Sequence, residues 1–124
     1  MTRFTTIGLG LVLMLGSVAT PVAADEKDGK KDVSVKGEVI DTFCYATMGA
    51  KGSGHKQCGI DCARKGIPVG LLEEGTDKVH VLLPTKDKTA LPDDVVNRMG
   101  ETVTVTGHPS AKGGVAFLTV ESVK

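Results

Sequence analysis

The stretch CYATMGAKGSGHKQCGIDCARKG, residues 44–66, holds all three cysteines of the chain and one of its three histidines. Thiolates and imidazole are the ligands of soft and borderline metal ions, and thiols are also the redox-active side chains. From His55 to Lys65 the sequence predicts a helix, with Ser53 as its N-cap and Gly66 and Pro68 as its stop. On that helix His55, Cys58 and Cys62 stand at i, i+3 and i+7 and fall within an arc of roughly 60°. Cys44 reaches the same place from the end of the first strand. One imidazole and three thiols make the ligand set of a closed tetrahedral Cys₃His site, suited to zinc or copper(I) and less to an iron–sulfur centre. Met48, in the intervening loop, is either a thioether for copper or an apolar plug. Covalent haem is excluded, since the spacing is Cys-x-x-x-Cys followed by Ala63 rather than Cys-x-x-Cys-His.

Disulfide chemistry competes with the metal. On an intact helix the Cβ atoms of Cys58 and Cys62 stand about 5–6 Å apart, whereas a disulfide requires about 3.5–4.5 Å. Either can instead bridge to Cys44, which would stabilise the fold by about 3 kcal/mol on the chain-entropy model. An odd cysteine count then leaves a lone thiol beside the bridge, open to exchange or oxidation. A metal that takes all three thiols resolves the odd count. The alternatives are a thiol–disulfide protein, in which Cys44 switches partners, and an interaction module stapled by one bridge.

Other polar residues offer less. Asp61 is a candidate hydrogen-bond acceptor for His55, or simply a solvated helix charge. His80 alternates with apolar neighbours and is expected to face solvent, and His108 is expected in the final turn. No Ser-His-Asp set, phosphate-cradling glycine loop or pair of catalytic carboxylates stands out, which favours a binding module over an enzyme.

The elements that must position the cluster follow from periodicity. VSVKGEVIDTFC reads as a first strand with Val33, Val35, Gly37 and Val39 on one side, and Gly37 marks a bulge or bend. IPVGLLEEG and KVHVLLPT read as a hairpin, with Val79, Val81 and Leu83 on one face. TALPDDVVNRMG is a short helix with Pro92 at its first position, Gly100 as its cap, and Leu91, Val95 and Met99 on one face. ETVTVTGHP and VAFLTVESV close the chain as two strands around SAKGG. Three strands, a helix and two strands is the order of a mainly β, five-stranded OB-like barrel. Its helix precedes strand four, and the Cys/His-bearing segment is a helical insert between strands one and two.

Residues 1–24 have the layout of a secretory signal peptide. Arg3 precedes an apolar run from Ile7 to Ala19, and Val22 and Ala24 form the cleavage site. The run is short for a spanning helix, which needs about 20 residues. Residues 25–32 are a flexible charged lead-in and residues 33–124 the barrel domain, expected in the periplasm or secreted. Loss of Arg3 leaves 14 basic side chains against 15 acidic. The charge is near zero and the domain has few aromatics, a balance that speaks against nucleic-acid binding and against membrane association after cleavage. A metal ion is the expected partner, with another exported protein as a further one.

VKGEVIDTFCY, GHKQCGIDCARKGIPVGLL and MGETVTVTG together resemble a set of small exported bacterial proteins of uncharacterised function. Members look like OB-type barrels with a cysteine near the end of the first strand and a His-x-x-Cys-x-x-x-Cys helix before a Gly-x-Pro turn. The matching positions are Cys44, His55, Cys58, Cys62, Gly66 and Pro68. The resemblance implies the fold and the export, and no reaction.

Overall fold

Alternating apolar residues build five strands that close on themselves. The computed structural model describes residues 31–124. The expected signal segment 1–24 and residues 25–30 of the expected lead-in lie outside the described residues. Strands β1 (Val33–Asp41), β2 (Val69–Glu73), β3 (Val79–Leu83), β4 (Thr102–Lys112) and β5 (Val115–Val123) form a closed barrel in the order β1-β2-β3-β5-β4. All pairs are antiparallel except β3 with β5. Closure leaves the sheet without an open edge. Among the described residues no helix is long and apolar enough to cross a membrane.

β1 serves two neighbours. Val33 to Glu38 pair with β4, and Gly37 to Asp41 pair with β2. Gly37 lies where the two ladders overlap, and a Cβ there would strike the Leu72 carbonyl oxygen. Both registers run unbroken through it, so Gly37 permits close backbone approach rather than the expected bulge. The register shift falls at Thr106/Gly107 instead.

Inward residues of every strand meet in one core that includes Val39, Leu71, Leu82, Val103, Val105, Leu118 and Val120. The expected face of β3 is reversed. His80 and Leu82 are buried, while Val79, Val81 and Leu83 are only partly so. Alternation in KVHVLL favours the face of Val79, Val81 and Leu83, and the barrel overrides it. Pairing of Leu71 with His80 turns the histidine inward. Its Nε2 lies 2.8 Å from Glu73 Oε2, and that partner makes the burial tolerable.

β4 is longer than expected. It passes through His108, which is exposed and lies 2.5 Å from Asp32, and turns at Gly113–Gly114, both with positive φ. His108 is thus a strand residue and not a turn residue. Pro109 is accommodated because β1 accompanies β4 only as far as Gly107, leaving one side of the strand unladdered.

Between β3 and β4 the helix α3 is a single turn, Asp93–Val96, with Pro92 as its N-cap rather than its first residue. Leu91, Val95 and Met99 face the core as expected, joined by Val96. After the turn, Gly100 N–H donates to Val39 O and Val39 N–H to Glu101 O, fixing Met99 beside β1.

Candidate metal centre

The segment between β1 and β2 folds into more helix than its sequence advertised. Cys44 is not at a strand end. It lies in the first turn of a helix, α1 (Thr42–Met48), that begins where β1 stops. Asp41 caps it, its Oδ1 accepting from Cys44 N–H at 2.8 Å, and Gly49 ends it at φ +65°. Thr42 ties the same point to β2 through two hydrogen bonds to Pro68 O. TFCYATM is poor in strong helix formers, so propensity hid the element. An Asp eight positions ahead of a Gly was the signal that could have found it. Met48 is 67% exposed at the end of α1 and plugs no gap.

The second helix starts earlier than expected. A 3₁₀ turn at Ser53–His55 leads into α2 (Lys56–Arg64). Ser53 makes no capping bond. Gly52 precedes the turn, and its N–H is held by Glu38. Gly66, at φ +95°, ends α2 as expected. Its N–H returns to Ala63 O and that of Ile67 to Cys62 O, the Schellman pattern. Ile60 enters the barrel core, with Ala63 packed against it, and Lys56 pairs with Glu101 at 2.5 Å. These contacts seat α2 across the end of β1.

Gly59 decides how closely α2 approaches. A Cβ at this position would overlap Met99 Cγ, lie 2.9 Å from Met99 Sδ, and stand 3.5 Å from Asp41 Oδ2. Met99 is 1% exposed and has no free space to retreat into. Gly59→Ala would gain about 1 kcal/mol of helix propensity and lose about 1–3 kcal/mol to overpacking. The expected result is a net loss of stability, read as a lower urea midpoint with unchanged slope, despite the better helix former.

The close approach gathers the predicted ligands around Cys44. Ligand atoms of Cys44, His55 and Cys58 lie within 4.8 Å of one another, and so do those of Asp41, Cys44 and Cys62. Cys44 is buried, His55 and Cys62 are partly exposed, and Cys58 is exposed. No bridge joins the three thiols. Asp61 does not serve His55. It accepts instead from Gln57 Nε2 at 3.0 Å on the outer face of α2.

Asp41 takes that role, and sequence reasoning passed it over. Its carboxylate is fully buried, and Oδ2 lies 2.7 Å from His55 Nε2. Burial alone would push its carboxyl up. The backbone N–H of Cys44, the His55 ring and the Cys44 thiol together outweigh that and hold it below the ordinary range. An ionised carboxylate only accepts, so His55 Nε2 carries the proton and Nδ1 keeps a free lone pair. A carboxylate behind one ring nitrogen, with the other free for an ion, is the usual support of a metal-binding histidine.

The thiols of Cys44 and Cys62 are held protonated. Burial, then the hydrogen bond and charge of Asp41 with a further push from Cys62, raise Cys44 to about 12. Cys62 is also raised, by burial first and then by the charges of Asp41 and Cys58, against the opposing hydrogen bond from Cys44. An incoming cation would have to displace these protons, as it does at thiolate sites generally.

No protein-family model, curated protein or solved structure matches the chain. Fold and cluster therefore define the class on their own: a closed five-stranded β-barrel with a Cys/His cluster, between its first two strands, that could hold a metal ion.

Proposed function

We propose that this chain is an exported metal-binding module, in the periplasm or beyond it, that holds one zinc or copper ion through Cys44, His55, Cys58 and Cys62. One observation carries this. The buried Cys44 thiol lies within 4.8 Å of donor atoms of His55, Cys58 and Cys62, with Asp41 orienting the imidazole beside it. The donor set is that of thiophilic ions. The barrel supplies rigidity and hosts too many functions to argue for one.

A second reading, thiol–disulfide exchange, draws support from the Cys44 and Cys62 sulfurs lying within 4.8 Å of one another. Metal analysis and thiol counting on anaerobically purified protein separate the two. Metal binding predicts about one equivalent of ion, with all three thiols shielded from alkylation until a chelator is added. A fully formed Cys44 bridge in protein taken directly from the cell, with metal absent, would overturn it in favour of exchange.

A further inference from the structure

The geometry points to two successive metal positions, an outer one made by His55, Cys58 and Cys44 and an inner one made by Cys44, Cys62 and Asp41. This rests on the metal-binding function proposed above and adds a direction to it. The ligand atoms sort into two sets that share only Cys44, and among the described residues no set of four meets the 4.8 Å spacing.

The two sets differ in access. Cys58 is exposed and His55 partly so, whereas Asp41 is fully buried and Cys44 is 4% exposed. They differ in chemistry as well. The outer set offers nitrogen and two sulfurs, and the inner set offers oxygen and two sulfurs. Copper(I) favours all-soft ligands, while zinc accepts carboxylate oxygen alongside thiolate. Charge agrees with this. Two thiolates and an imidazole are neutralised by a dication and left anionic by a monocation. The ion is therefore a borderline divalent cation of the zinc type.

In capture, Cys58 and Cys44 each release a thiol proton to water as they bind the ion with His55 Nδ1. In transfer, the bonds to His55 Nδ1 and Cys58 Sγ break while bonds to Cys62 Sγ and a carboxylate oxygen of Asp41 form. The Cys62 proton passes through water to the departing Cys58 thiolate. Cys44 stays bound throughout and no electron moves. The exposed pair thus governs entry, and the buried pair governs retention.

Cobalt(II), added to the reduced full chain under argon, tests this through the thiolate-to-cobalt absorption, followed by stopped flow on uptake and on release to EDTA. Wild type should load in two phases. Cys58→Ser should slow capture about tenfold and slow release to a similar degree, because it removes only the outer position on the path, whereas substitutions at a single binding site act mainly by speeding release. Cys62→Ser should keep fast capture, lose the second phase, and release about tenfold faster. Neither side chain is in the core, and far-UV circular dichroism verifies that both variants fold. One loading phase, with both variants speeding release equally, would overturn the two positions and leave a single four-ligand site standing. Absence of cobalt and zinc uptake by wild type would overturn the metal-binding function and this inference with it.

Discussion

Replacing Cys44 by serine is expected to lower zinc affinity more than any other single change in the cluster. Structural zinc sites bind with about 10–16 kcal/mol, or about 3–4 kcal/mol for each of four ligands. That corresponds to about 10²–10³-fold in affinity per thiolate lost. Cys44 belongs to both ligand sets, so its loss should reach the upper end of that range or exceed it. Cys58→Ser and Cys62→Ser each weaken one set and should fall below it. His55→Ala should cost least, because water can occupy a fourth position on zinc. Competition against a chromophoric chelator gives the ranking, and a Cys58→Ser effect as large as that of Cys44→Ser would remove Cys44 from its shared role. Serine nearly preserves the volume of the buried side chain, so the metal-free barrel should remain folded.

Truncating Asp41 should damage the fold itself. Asp41→Ala removes the N-cap of α1 and leaves the partly buried His55 Nε2 without its partner. A lost cap costs about 1 kcal/mol, and a hydrogen bond to a buried charged group is worth about 1.5–3 kcal/mol. His55 retains some exposure, so the sum should come to about 3–4 kcal/mol. For a domain of this size that lowers Tm by roughly 12–32 °C.

The effect should shrink in acid. A carboxyl held below its ordinary value of 3.8 contributes stability above that pH, and loses it as the pH falls through the folded value. The gap between wild type and variant should therefore narrow as the pH falls below 3.8 in urea titrations, and a constant difference would contradict the role assigned to Asp41. Asp41→Asn should behave differently. The amide can still cap α1, but its NH₂ would turn His55 to the tautomer with the proton on Nδ1. Stability should be largely kept, while zinc affinity falls further than in His55→Ala, because the inner set loses its carboxylate ligand as well.

Much of this was legible in the residues. The strand order followed from period-two runs and glycine punctuation, and the His55-to-Lys65 helix from its spacing and from Gly66. The ligand candidates were legible because cysteine and histidine are rare here and lie in one stretch. Local patterns report local structure, and these features are local.

What the tertiary structure decided was which partners meet. Alternation pointed β3 the other way, with His80 toward solvent, and closure of the barrel turned His80 inward toward Glu73. α1 was hidden because its cap, Asp41, also ends a strand, and the strand pattern absorbed it. By propensity alone Gly59 weakens its helix, yet it is the position at which Met99, forty residues later, lets α2 come close. Asp41 stood unremarked within the first strand, yet burial against His55 and Cys44 makes it the centre of the cluster. Composition and spacing supplied the donors. Long-range packing, which no periodicity encodes, decided that Cys44 would be shared and that a carboxylate would stand behind the imidazole.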